Sequence, residues 1–256
     1  MRLAITRGIS TALERCELTH LARQPIDMAR AHEQHAAYER ALAELGCEVR
    51  RLAAEPDLPD CVFVEDTAIV LDELAIITRP GALSRRRETG AVAAALAPHR
   101  ELRFIQAPAT LDGGDVLCID RTLYVGISRR TNAAAIAQVR AHVLPLGYAV
   151  TGMAVTGCLH LKSAVTPVAP GTLLINPRWV DPHAFEPLRL IAVDAAEPAA
   201  ATALLIGNTI VYPSAHPATR ERLARHGIQL CSIDVSELLK GEGAVTCCSL
   251  VFRAPA

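Results

Sequence analysis

No stretch of 18 or more uninterrupted apolar residues occurs in this chain, so it lacks the segment that a helix needs to cross a bilayer. Its opening, MRLAITRGIS, has no apolar run of signal-peptide length. From these two absences we expect a cytoplasmic protein with no membrane partner. Nor is there a CxxC pair among its eight cysteines, at 16, 47, 61, 118, 158, 231, 247 and 248. A zinc finger and a disulfide-stapled secreted scaffold are therefore not indicated, and the cysteines read as reduced thiols. Strong charge of one sign is missing too: the formal net charge is -1 and no Lys/Arg block appears beyond Arg85–Arg87, which argues against a nucleic-acid partner. What the chain does have is apolar content. At 256 residues, 51% hydrophobic and 21% charged, it can bury a sizeable core, and we expect one domain over residues 1–256.

The stretch from Gly241 to Phe252, GEGAVTCCSLVF, carries a cysteine pair from a glycine-loosened turn into a short apolar segment read as a strand. In an extended strand, successive side chains face opposite sides, so one of Cys247 and Cys248 points to a site and the other packs away. Cys247 is the candidate nucleophile. Taken alone, both are as well read as small core residues, which is what free cysteines usually are.

An internal repeat decides the architecture. One unit reads strand, tight turn, strand, polar link, helix, strand, with successive starts about 45 residues apart, a period typical of propellers and solenoids. The first starts near Val62 (VFVEDTAIVL) and the second at Gly113 (GDVLCI, then TLYVGI). The third starts near Leu159 (LHLKSAVTPV), the fourth with ATALLI, and the last at Cys247 with CCSLVF. The parts missing from that last unit stand at the other terminus, as MRLAIT, a helix from about Ala31 to Leu45, and EVRRL. The units thus form an α/β ring closed by N- and C-terminal strands. In such a ring the first strand of each unit lies innermost, and Glu65, Asp66, Asp112, His160 and Cys247 all fall at or just before one. They would meet at one end of a central channel, where core packing does not explain them because buried unpaired charge is costly.

A thiol is a weak nucleophile until it ionises. His160 supplies an imidazole and Asp112 a carboxylate to orient it. Asp60, Glu65 and Asp66 have no cation in their own segment, which suggests that the cation is the ligand; a planar, permanently charged guanidinium fits such acceptors. Arg85 and Arg130 stand after the second strand of two units, inside SRR in both, where they could grip a carboxylate. Each residue also has an ordinary reading: His160 as a satisfied core histidine, VFVED as a solvated strand end, Asp112–Asp115 as a turn. Their joint placement favours the functional one.

These motifs resemble the dimethylarginine dimethylaminohydrolases of the guanidino-modifying superfamily. The likeness runs through FVED (Phe63–Asp66), RPGALSRR (Arg79–Arg86), LDGGD (Leu111–Asp115), SRRTN (Ser128–Asn132), LHLK (Leu159–Lys162) and TCCS (Thr246–Ser249). The resemblance implies a five-bladed α/β propeller of pseudo-fivefold ββαβ units, hydrolysing asymmetric dimethylarginine and monomethylarginine to citrulline. It implies Cys247 as nucleophile, His160 as acid and base, and Asp112 as its orienting group. Asp60, Glu65 and Asp66 would hold the guanidinium, Arg85 and Arg130 the α-carboxylate, and the Leu18 backbone, on an N-terminal lid loop, the α-amino group. Glu242 stands where the family usually carries Asp and is a further candidate substrate contact. No cofactor and no catalytic metal are implied; zinc inhibits some members at the cysteine and histidine. A homodimer is the implied assembly. Two rival expectations are an arginine deiminase or amidinotransferase of the same superfamily, and a zinc- or redox-responsive thiol protein using Cys247, Cys248 and His160.

Overall fold

A computed structural model describes residues 1–254 of the chain. Fifteen short strands form five three-stranded sheets among these residues. β1 (Arg2–Arg7) pairs in parallel with β2 (Cys47–Leu52) after a crossover through the helix Met28–Glu44, which Asp27 caps by accepting from the Arg30 N–H. In the next sheet β3 (Ala68–Val70) turns tightly into antiparallel β4 (Leu74–Ile77), and the helix Thr89–Leu96 leads to parallel β5 (Glu101–Phe104). β6 (Val116–Ile119), β7 (Thr122–Ile127) and β8 (Ala149–Ala154) repeat that plan, with a helix Ala133–Val143 capped by the Asn132 side chain. So do β9 (Val165–Ala169), β10 (Thr172–Ile175) and β11 (Arg189–Ala192), and then β12 (Leu204–Ile206), β13 (Thr209–Pro213) and β14 (Gln229–Ile233), whose crossover helix is Pro217–Arg225. β15 (Leu250–Arg253) pairs antiparallel to β1, matching Leu3 with Phe252 and Ile5 with Leu250, and completes the fifth sheet from both chain ends. The result is a five-bladed α/β propeller.

The core is divided among the blades. Ile69, Leu74 and Ile76 of one blade pack with Val116, Leu123 and Val125 of the next, and Val168 and Leu174 pack with Ile210 and Tyr212. Each such large side chain stabilises the fold by about 1.5–3 kcal/mol on burial, so the apolar wedges between blades hold the ring shut. No helix among the described residues is long and apolar enough to cross a membrane.

Three expectations need correcting. Val62–Glu65 is no strand: residues 64–67 form a 3-10 turn and the strand starts at Ala68. Cys247 and Cys248 likewise sit in a turn, with the strand starting only at Leu250. The third blade crosses over without an α-helix, because its link NPRWVDPHAFEP carries three prolines and supports only a 3-10 turn at Pro182–Phe185.

Candidate active site

Short turns feed the inner strands from one end of the ring, and four of them carry the polar site. The turn Val64–Thr67 leads into β3, Gly113–Asp115 into β6, Leu161–Ala164 into β9, and residues 244–248 into β15. Their backbones are cross-linked: the Glu65 N–H donates to the Cys247 carbonyl at 3.1 Å, tying the first of these turns to the last. Behind the cysteine turn, fully buried Tyr38 of the long N-terminal helix donates to the Val245 carbonyl (2.8 Å) and bonds Ser249 Oγ (2.6 Å). Gly114 is required by close approach, since a Cβ there would come within 2.6 Å of His160 Nδ1 and 2.8 Å of an Asp66 oxygen.

A tight pocket of about 10 Å³ lies where these turns meet. Asp60, Asp66, Arg85, Arg130, His160 and Cys247 line it, together with Phe63 and Glu242. His160 is buried, with Nε2 3.1 Å from Asp112 Oδ2 and Nδ1 3.6 Å from Asp66 Oδ1. Asp112 stands behind it, accepting from the Gly81 N–H at 2.9 Å and lying 3.7 Å from Arg130 Nη1. The pair of cysteines divides as expected though for a different reason, the turn rather than a strand. Cys248 is sealed in the core and donates to the Ala244 carbonyl, while half-buried Cys247 faces the pocket.

Other candidates sit in less expected surroundings. Glu65 is outside the pocket's lining, and its Oε1 pairs with Lys162 at 2.6 Å. That pair borders a cavity of about 350 Å³ lined by later residues of the inner strands, among them Val70, Cys118 and Phe252. The other Glu65 oxygen, Oε2, is buried without a hydrogen-bond partner. Arg85 is wholly buried in an ion-pair network, bonded to Asp66 at 2.6 Å and to Glu88 at 2.9 Å, and donating to the Phe63 carbonyl. Glu242, in the left-handed region at φ 59, turns both carboxylate oxygens to the backbone N–H groups of Thr19, His20 and Leu21. Asp60 similarly accepts from the Glu17 N–H, and Arg130 Nη2 donates to Thr19 Oγ1. Leu18 thus rides on a loop pinned over the pocket by three pocket residues, with its own side chain packed on the core. Glu88, Asp115 and Lys162 were missed in the sequence. The first two were visible as the charge three residues after Arg85 and the last residue of LDGGD, but their pairing is settled only by folding.

The electrostatics fix the resting protonation states. Burial pushes the Cys247 thiol up, and Glu65 and Asp66 push it further, to about 12. Burial disfavours a charged imidazole, but Asp66, Asp115 and Asp112 outweigh it and raise His160 to about 9. Burial opposes ionisation of Asp66 as well, yet His160 and Arg85 hold its pKa below the ordinary carboxylate value. At neutral pH the site holds an imidazolium beside a neutral thiol. Asp66, Asp112 and His160 each offer a donor atom within 4.8 Å of the others. In the structure the three form an ion-pair network, with the imidazole between two carboxylates.

One prediction follows from the sign of these effects. Carboxylates beside a thiol disfavour the thiolate, so alkylation of Cys247 by iodoacetamide in the resting enzyme should rise about tenfold per pH unit between pH 7 and 9. Glu65→Gln should raise the rate at every pH, by removing a negative charge and leaving Lys162 unneutralised. A rate already level across that range would show a preformed thiolate and overturn this account.

A five-bladed α/β propeller whose inner turns bring a thiol, an imidazole and several carboxylates to its axis is the architecture of the guanidino-modifying enzymes. Comparison with known proteins narrows the class. A family model described as "N,N dimethylarginine dimethylhydrolase, eukaryotic" matches residues 19–169. The N(G),N(G)-dimethylarginine dimethylaminohydrolase of Streptomyces coelicolor is 41% identical over 251 residues, 98% of this chain and 96% of the relative. Its namesake in Pseudomonas aeruginosa is 35% identical over 228 residues, 88% of this chain and 90% of the relative. A solved structure of the Pseudomonas aeruginosa enzyme, a cysteine-to-serine mutant complexed with citrulline, superposes with a TM-score of 0.93 at 33% identity, covering 97% of this chain and 98% of that one. The chain belongs to the dimethylarginine dimethylaminohydrolase family.

Proposed function

We propose that this chain hydrolyses asymmetric dimethylarginine, and monomethylarginine, to citrulline and the corresponding methylated amine. The observation that carries this is the convergence of Cys247, His160 and the carboxylates Asp60 and Asp66 in one pocket, in a chain of this family.

The carboxylates that raise the thiol's pKa define the logic of the site. A guanidinium arriving beside them cancels their field and lets Cys247 release its proton to solvent, so substrate generates its own nucleophile. The unpartnered Glu65 Oε2 is an acceptor that a guanidinium N–H would satisfy, and Asp66 offers a second. We assign Arg130 and Arg85 to the α-carboxylate; Arg85 would exchange a bond with Asp66 for one with the ligand. Leu18 contributes its backbone to the α-amino group, with Asp60 beside it, and Glu242 acts by holding the loop that carries Leu18. Thiolate attack on the guanidino carbon forms the C–S bond. The imidazolium of His160, steadied by Asp112, gives its proton to the departing amine as the C–N bond breaks. The neutral imidazole then takes a proton from water attacking the thiouronium carbon. C–S cleavage returns the thiolate and releases citrulline.

The test is citrulline formation from asymmetric dimethylarginine, monomethylarginine and arginine, compared as kcat/KM. Unmethylated arginine brings two more N–H donors than the dimethylated substrate, and each donor left unpaired in a buried site costs about 1–3 kcal/mol. A buried methyl contributes about 0.8 kcal/mol. We expect more than tenfold preference for the methylated substrates; equal or better use of arginine would move the chain to the deiminase reading. We further propose cytoplasmic location, a single catalytic unit over residues 1–256, and a homodimer, the last to be checked by light scattering.

A further inference from the structure

Asp115 does not line the pocket, yet it is fully buried, donates its backbone N–H to the Asp112 carbonyl and lies between two blades' contributions to the site. One oxygen, Oδ1, accepts from the Leu161 N–H at 3.0 Å, the peptide joining His160 to the turn that follows it. The other, Oδ2, accepts from Ser128 Oγ at 2.6 Å. Ser128 Oγ in turn accepts from the backbone N–H groups of Arg130 (3.0 Å) and Thr131 (3.2 Å), and Thr131 Oγ1 accepts from the Asp112 N–H at 3.1 Å. The two oxygens of one carboxylate therefore reach, each through a single link, the backbone of the imidazole and the backbone of the arginine. The room for this is made by Gly126, where a Cβ would stand 3.0 Å from Asp115 Oδ1 and 3.1 Å from the Leu161 Cβ.

A buried carboxylate has to be satisfied, and an apolar residue of similar size would fill this space at lower cost if packing were the only demand. We infer that Asp115 is a positioning residue for the reaction: through Leu161 and Ser128 it holds His160 and Arg130 in one fixed relation, setting the acid–base group against the grip on the substrate's carboxylate. The inference rests on His160 acting as acid and base.

Its charge adds a second effect on the same imidazole. His160 is faced by Asp66 from the 64–67 turn, by Asp112 and Asp115 from the turn before β6, and by Glu65; it shares the pocket with the Cys247 thiol, the Cys158 thiol donates to its backbone carbonyl, and Arg85 and Arg130 act on it through Asp66 and Asp112. Burial lowers the imidazole's pKa, and Asp66 followed by Asp115 are the largest of the effects that raise it. Removing the Asp115 charge while keeping an acceptor for Leu161 disfavours the imidazolium, so its deprotonation moves to lower pH.

Asp115→Asn and Ser128→Ala separate the two links. Asp115→Asn is expected to lower kcat about tenfold or more, and to move the alkaline limb of kcat, and the NMR titration of the His160 ring in the resting enzyme, down by about one pH unit. Ser128→Ala keeps the charge and the Leu161 bond and loosens the Arg130–Thr131 segment: KM should rise about tenfold with the alkaline limb in place. A folded Asp115→Asn enzyme with wild-type His160 titration and pH profile would overturn the proposal. So would a Ser128→Ala enzyme with unchanged KM, or with kcat and KM shifted alike, and this arm decides the matter if Asp115→Asn does not fold. Wild-type turnover by His160→Gln would instead remove the acid–base reading itself, while the NMR titration still reports whether Asp115 is linked to the ring.

Discussion

Cys247→Ser should lower citrulline formation about 10³-fold or more, on the scale of losing an enzyme's nucleophile, while Cys248→Ser keeps most of the activity. A serine hydroxyl beside Glu65 and Asp66 has a far higher pKa than the thiol it replaces, so even a bound guanidinium would not ionise it. Cys248 is 1% exposed, among Leu13, Tyr38 and Val245, and its change is a matter of stability. A hydroxyl is shorter than the thiol that reaches the Ala244 carbonyl at 3.5 Å and pairs poorly there, so the cost is about 1–3 kcal/mol. Initial rates and thermal melting of the two variants check both halves. Comparable rate loss in both would mean that the wrong cysteine faces the substrate.

The second large effect is expected at His160. Without a proton donor the amine would have to depart as an anion, so His160→Ala should lose about 10²–10⁴-fold in kcat. That substitution also strips Asp66 and Asp112 of the cation between them, and breaking a buried pair costs about 3–5 kcal/mol. His160→Gln is the better variant, since its amide can still donate to Asp112. It should fold, bind substrate and release no amine. Amine release near the wild-type rate from a folded His160→Gln enzyme would dismiss the imidazole from the mechanism.

The sequence made the ring legible because each blade is specified locally. Alternating apolar strands, turn residues such as Asp120, which adopts φ 51, and Ala-rich crossover segments recur within about 45 residues. The site was legible for a related reason: equivalent positions in a ring meet at its axis, so Asp66, Asp112, His160 and Cys247 could be brought together without knowing a single contact. What lay beyond reach was partnership across blades. Nothing near Glu65 announces Lys162, and nothing near Glu242 announces the amides of residues 19–21, more than 220 positions away. Arg85 illustrates the same limit. Its motif suggested a free hand for substrate, whereas the folded chain engages it with Glu88 and Asp66.

The fifth blade, built from β15, β1 and β2, also governs when the enzyme comes into being. Four blades can form as the polypeptide leaves the ribosome, but β1 has to wait, one edge unpaired, until Leu250–Arg253 emerges. The turn bearing Cys247 precedes that strand directly, so the nucleophile reaches the axis in the same event that seals the ring. Nascent and truncated chains that lack residues 247–253 would carry His160, Asp112 and Asp66 yet be catalytically silent. Loss of residues 247–253 removes the nucleophile and ring closure together.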